Sequence, residues 1–321
     1  MAPYVPPSGI WAPAVTMFDP ETDTLDLDAQ AKYYAYLSRT GLAGLVILGT
    51  NAEAFLLTRE ERKLLIATAR KAVGPDFPIM AGVGQHSTKQ VLENIADAAD
   101  AGADSVLVLP PGYFGKATNP EVVDTFFTQV AAASSLPIVL YNFPGVCNGV
   151  DLSSGVITSL ARKHPGKIVG VKLTCGSVAK ITCLSSSLPA DQFATFGGQS
   201  DFLIGGLASG SAGCIAAFAN VAPRTIVRIY ELYTAGKHAE ALALHQKAAL
   251  AEQCVKGDVA ATKYAAALYS ARFAGVVGDA HVESRFRPRA PYVEPKDAQK
   301  ETIRKALAEI GSIEEGLPMA R

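Results

Sequence analysis

A chain of 321 residues, 49% hydrophobic and 18% charged, can bury one large core and fits a single catalytic domain with an appendage better than two separate domains. Its formal net charge is -1 with Lys and Arg dispersed, which excludes a nucleic-acid or anionic-membrane footprint and leaves a small neutral or anionic molecule as the expected partner. No apolar run reaches the roughly 18 residues of a membrane span, and the opening MAPYVPPSG reads as neither a signal peptide nor a presequence, so the expected location is cytoplasmic.

Short apolar, β-branched runs recur at 10–18, 44–49, 78–84, 105–110, 137–142, 167–172, 193–198 and 212–217. Between them lie amphipathic segments of helical period at 27–39, 58–73, 87–101, 119–134, 151–164, 176–187, 199–209 and 222–235, several opened by Asp, Ser or Thr as an N-cap. Strands apolar on both faces that return at helix-length intervals indicate a parallel sheet, and eight βα units are the number at which it closes. The predicted fold is therefore α/β, a (β/α)8 TIM barrel over 1–235, with a C-terminal helical extension over 236–321. An open doubly wound sheet is the competitor, but no GxGxxG follows the first strand, and a nucleotide cofactor is not expected. The extension reads as helices at 237–255, 258–274 and 297–310, with 279–295, rich in charge and proline, as the connection into the last.

Active sites of such barrels collect at the C-terminal strand ends. Polar groups stand there at Thr16, at Gly49-Thr50-Asn51-Ala52-Glu53, at Tyr113, at Tyr141-Asn142, at Lys172 and at Gly197-Gly198. Lys172 closes an apolar run, which would project its amine into the barrel mouth, where desolvation disfavours the ammonium. A neutral amine attacks a ketone and forms an iminium that draws electrons from the adjacent carbon. The competing reading is a surface lysine that begins the next loop. Tyr141, on the neighbouring strand, can donate and accept the protons this chemistry needs, although alone it reads as a core tyrosine. Thr50 and Tyr113 alone read as a strand-end cap and a loop aromatic. The five cysteines, at 147, 175, 183, 214 and 254, are irregularly spaced without a CxxC pair, and with scattered histidines they predict reduced thiols and no metal site.

Together, Gly49-Thr50-Asn51-Ala52-Glu53, Tyr141-Asn142-Phe143-Pro144 and Val169-Gly170-Val171-Lys172 resemble, in order and separation, the motifs of the dihydrodipicolinate synthase and N-acetylneuraminate lyase superfamily. The likeness covers nearly the whole chain, including the Gly-rich seventh strand and Asn220-Val221-Ala222-Pro223. It implies a class I, pyruvate-dependent aldolase that needs no cofactor beyond the lysine. Lys172 would carry the Schiff base, Tyr141 would move protons, and Thr50 would link Tyr141 to Tyr113 in a relay. In tetrameric members that tyrosine comes from a neighbouring subunit, so a homo-oligomer, dimer or tetramer, is implied. Asn51 and Ala52, with nearby backbone amides, take the position that receives the pyruvate carboxylate.

Two departures bear on the substrate. Ala52 stands where the turn usually has glycine, which requires a backbone that tolerates a Cβ. Val146 stands where dihydrodipicolinate synthases place an arginine for aspartate semialdehyde, which demotes that reaction. The motifs instead resemble aldolases that split 2-keto-3-deoxy sugar acids, with 2-keto-3-deoxy-L-galactonate the first expectation. A 4-hydroxy-2-oxoglutarate aldolase is the alternative, and a pyruvate-binding pseudoenzyme is the non-catalytic one. Thr174, Asn148, Gly197 and Gly198 are the candidates for binding the aldehyde half; plain loop chemistry explains Thr174 and Asn148 as well. Cys175 is read as an inert thiol.

Overall fold

Eight parallel strands close on one another in chain order, the first pairing with the last through Gly9 and Gly213. The computed structural model describes residues 4–276 and 282–320. The strands are β1 (Gly9–Pro13), β2 (Gly44–Ile47), β3 (Ile79–Gly82), β4 (Ser105–Val108), β5 (Ile138–Asn142), β6 (Ile168–Leu173), β7 (Ala194–Gly197) and β8 (Gly213–Ile215). The helices that follow each strand are α1 (Leu27–Leu37), α2 (Arg59–Val73), α3 (Thr88–Asp100), α4 (Pro120–Ala133), α5 (Ser154–Lys163), α6 (Val178–Ser187), α7 (Leu203–Ala208) and α8 (Pro223–Thr234). The fold is the expected TIM barrel.

Period-two alternation divides the apolar side chains into two cores. Trp11, Val46, Met80, Leu107, Val139 and Phe196 fill the barrel, whereas their strand neighbours, such as Ile10, Leu45, Ile47 and Val171, face the helices. The Trp11 ring fixes its opposite number. A Cβ at Gly44 would sit 2.3 Å from it, so only glycine permits the large ring inside the barrel. Helix starts follow local chemistry. Thr58 and Glu61 form a complete capping box on α2, and Ser87, Asn119, Ser153 and Ser177 each accept from an amide of the helix they open.

Where elements end earlier or later than the sequence predicts, a tertiary partner has claimed the backbone. The first strand stops at Pro13 because Gln30 takes over beyond it, donating to Val15 O and accepting from Met17 N. α7 begins at Leu203, not 199, because Ser200 is tied to the C-terminal helices.

Those helices are α9 (His238–Glu252), α10 (Val259–Leu268), α11 (Ser270–Phe273), α12 (Val282–Arg285) and α13 (Asp297–Gly316). The expected helix over 258–274 is broken at Tyr269, where Ser270 Oγ donates to the carbonyls of Asn220 and Val221. α13 runs past the expected 310 because Glu314 is drawn onto the start of α8, accepting from Arg224 N and Nε and from Thr225 N and Oγ1. Of the connection read at 279–295, residues 279–281 lie outside the described residues. α10 crosses to the end of the barrel where the strands have their C-termini and touches both the turn after β8 and the turn Thr50–Ala52 after β2.

Candidate active site

Lys172 and Tyr141 are register partners on adjacent strands. Val171 and Leu173 face the helices, so alternation turns Lys172 between them into the barrel, where Tyr141 also points. Each is 3% exposed. Lys172 Nζ donates to Tyr141 Oη at 3.2 Å and lies 4.3 Å from the centroid of the same ring. Thr50 Oγ1 stands 3.3 Å from Tyr141 Oη on its other side. Amine, phenol and threonine hydroxyl thus form a continuous line along which a proton can pass, with the amine at its head.

The turn carrying Thr50 is a single 3-10 turn, Thr50–Ala52, capped by Glu53 in the left-handed region (φ 56°, ψ 37°). Ala52 itself is not left-handed, so its Cβ meets no backbone penalty. The first amides of the turn, on Thr50 and Asn51, have no acceptor within it, which is the arrangement an incoming carboxylate can use. Thr16 Oγ1 donates to Ala52 O at 2.7 Å and ties the turn to the end of β1.

Glu53 is buried and holds the turn from the other side. Its Oε1 accepts from Lys263 Nζ on α10 at 2.6 Å, and its Oε2 accepts from the Arg289 amide at 2.7 Å. Lys263 is 0% exposed and also donates to Arg287 O at 2.6 Å. Burial pushes its amine down to about 8, against the pull of Glu53. The Arg289 guanidinium grips both oxygens of Glu61 at 2.6 and 2.8 Å and reaches Leu56 O at 3.1 Å.

Across the mouth, Thr174 Oγ1 is buried without a hydrogen-bond partner. A Cβ on Gly198 would stand 2.1 Å from that hydroxyl and 2.4 Å from Thr174 Cα, so Gly198 makes room for Thr174. Asn148, left-handed at φ 49°, spends its amide nitrogen on Gly112 O at 2.6 Å and Tyr113 O at 3.2 Å, which gives it a loop partner at once. Gly197 lies against the Phe202 ring. Val146 is 46% exposed and presents an apolar surface. The Cys147 thiol next to it is buried and pushed up to about 11 by that burial, which makes it inert.

Tyr113 sits apart from the line of proton carriers. It is 71% exposed, and among the described residues no hydrogen bond joins it to Thr50 or Tyr141. Its ring continues an exposed aromatic row, Phe55, His86, Tyr113 and Phe114, with successive centroids 5.9, 5.7 and 5.3 Å apart. Among the described residues no cluster of His, Cys, Asp and Glu is arranged to hold a metal ion.

Sequence reasoning missed three groups. Lys263 lay unremarked in the helix read at 258–274, Arg289 in the connection read at 279–295, and Glu252 in the helix read at 237–255. Glu252 is buried and accepts from Ser200 Oγ at 2.6 Å, while His245 bonds Ser200 O at 2.7 Å. Burial, reinforced by Asp201, raises Glu252 to about 7. The available signal was a lone lysine within the otherwise apolar VAATKYAAAL.

The dihydrodipicolinate synthetase family model matches residues 6–310. The chain is 65% identical over 317 residues, 99% of it and 100% of the relative, to a Coccidioides immitis protein named "Putative 4-hydroxy-2-oxoglutarate aldolase, mitochondrial". It is 33% identical, over 97% of each chain, to the L-threo-3-deoxy-hexylosonate aldolase of Aspergillus niger. A crystal structure of a dihydrodipicolinate synthase family protein from Coccidioides immitis superposes with a TM-score of 0.92 at 62% identity, covering 99% of this chain and 100% of that one.

Proposed function

The chain belongs to the dihydrodipicolinate synthetase family and is a pyruvate-dependent carbon–carbon lyase, and from that premise we propose that it cleaves 4-hydroxy-2-oxoglutarate to pyruvate and glyoxylate. Aldolases of this family use a lysine Schiff base with pyruvate and need no cofactor. The observation that carries the substrate is the 65% identity, end to end, to a protein bearing that activity in its name. The sequence motifs put a 2-keto-3-deoxy sugar acid first; the relatives rank the two substrates the other way round.

In this reading the Lys172 amine adds to the C2 ketone and water leaves, giving an iminium. Tyr141 takes the proton of the C4 hydroxyl as the C3–C4 bond breaks. The bonding pair moves into the iminium to give an enamine, and glyoxylate departs. Protonation at C3 and addition of water release pyruvate and restore the amine. Thr50 carries the proton away from Tyr141, and the exposed Tyr113 of a neighbouring copy completes the relay, which makes the working enzyme a homo-oligomer. Asn51, Ala52 and the amides of their turn hold the C1 carboxylate, and Thr174 Oγ1 supplies a hydroxyl to the leaving half.

Two observations favour the sugar acid. Val146 offers no guanidinium to a second carboxylate, and the unpartnered Thr174 hydroxyl suits a polyol. The two substrates are separated by measuring pyruvate release from each. The proposal expects kcat/KM for 4-hydroxy-2-oxoglutarate to exceed that for 2-keto-3-deoxy-L-galactonate, and the reverse order installs the second reading. The expected cytoplasmic location has no support in a relative named mitochondrial; subcellular fractionation decides it. No described helix is long and apolar enough to cross a membrane.

A further inference from the structure

Two charged groups with no part in the chemistry above are buried directly beneath the turn that carries it. Lys263 is 0% exposed and Glu53 is 8% exposed, and their side chains meet at 2.6 Å. Withdrawing two such charges from water is costly, and a well-packed apolar pair of similar volume is often as stable or more so. An ion pair in this position therefore does little as mere cement, and its geometry shows what else it does.

The pair spans 210 positions of sequence and joins α10 to Glu53, the residue at which the chain turns left-handed immediately after Thr50, Asn51 and Ala52. A non-glycine residue at φ 56° persists only when its surroundings over-determine it. Here they do. Both carboxylate oxygens are taken, one by Lys263 Nζ and one by the Arg289 amide, and Lys263 is itself aimed by Arg287 O and by the Phe18 ring, 4.8 Å from its nitrogen. With Thr16 holding Ala52 O, the short turn is fixed at both its carbonyl side and its exit.

We infer that Lys263 is a positioning residue for the 2-keto acid: acting through Glu53, it sets the angle of the Thr50–Ala52 turn, so that the C-terminal helices determine how tightly the substrate carboxylate is held. The inference rests on the reading of that turn as the carboxylate seat. Its signature is a split between binding and turnover, because Lys263 touches neither Lys172 nor Tyr141.

The experiment measures the pyruvate concentration that half-saturates borohydride trapping on Lys172, together with KM, kcat and melting temperature. The variants are Lys263→Met, Glu53→Gln and the double variant, which leaves no unpaired charge behind. The expected result is a rise of about tenfold or more in half-saturating pyruvate and in KM, the loss of one well-placed charge-assisted contact, with kcat falling much less. Lys263→Arg should recover part of the affinity. Glu314→Gln, which weakens the buried Arg224–Glu314 pair that joins α8 to α13 and not to the Thr50–Ala52 turn, should lower the melting temperature and leave KM alone. If Lys263→Met does not fold, the double variant decides. Wild-type half-saturation in a folded variant, or an equal rise in Glu314→Gln, overturns the inference. Failure of the wild-type enzyme to trap pyruvate at all overturns the reading beneath it instead, and the two failures are thereby distinct.

Discussion

The molecule buries two lysines within reach of its active-site loops, and their surroundings are opposite. Lys263 is met by the Glu53 carboxylate and the Arg287 carbonyl, both 2.6 Å away. Lys172 is met by a phenol at 3.2 Å and by the face of the same ring. Depth therefore does not mark out the lysine proposed as nucleophile; partners do. An ammonium held by an anion and a carbonyl has two of its three protons engaged and its charge paired, whereas an amine that meets only a phenol keeps a direction of attack.

The comparison breaks most simply by chemical trapping. Borohydride reduction with pyruvate should add one adduct, on the Lys172 peptide, and leave the Lys263 peptide unmodified. Lys172→Ala should abolish both the adduct and cleavage. An adduct on Lys263, or cleavage surviving in Lys172→Ala, would reverse the two assignments.

A smaller effect is expected one step down the line of proton carriers. Tyr141→Phe keeps the ring against Lys172 but removes the hydroxyl proposed as acid/base, and cleavage should slow by about 10²-fold or more. Thr50→Val deletes only the hydroxyl 3.3 Å beyond it and should cost about tenfold. Steady-state rates at saturating substrate check both. If Thr50→Val is slower than Tyr141→Phe, the line runs through some other group.

What could be read in advance follows the range of the interaction that fixes each feature. The eight βα units are written in local patterns, period two for strands and period 3.6 with caps for helices, and so were legible. The adjacent, barrel-facing positions of Lys172 and Tyr141 were legible because strand ends place them and because three motifs occur together. Lys263 was not, because its ion pair exists only once α10 has crossed to Glu53, 210 residues away. The break at Tyr269 and the late start of α7 were hidden for the same reason: Ser270 reaches the Asn220 carbonyl, and Glu252 and His245 reach the backbone of Ser200, all across long stretches of chain. Tyr113 is the intermediate case, named only through the resemblance, and within one chain it is 71% exposed with no hydrogen bond to Thr50 among the described residues.

Glu252 extends the comparison to a buried acid and gives the mildest test. Burial holds its carboxyl up to about 7, with Asp201 adding to the shift while Ser200 and Lys256 oppose it. In the unfolded chain the group loses its proton near the ordinary value of about 4.3. Between those values the folded chain keeps a proton that the unfolded chain has released, so the stabilisation linked to that proton is fully present at the acid end and is lost as pH rises through about 7. Glu252→Gln, which cannot ionise, should be unaffected by that transition. Melting curves of the two proteins taken from pH 5 to pH 8 should therefore diverge, the wild type losing on the order of a few °C relative to the variant toward the alkaline end. Parallel melting curves across the whole range would mean that Glu252 is already ionised in the fold, held by Ser200 and Lys256 as a second paired charge like Glu53.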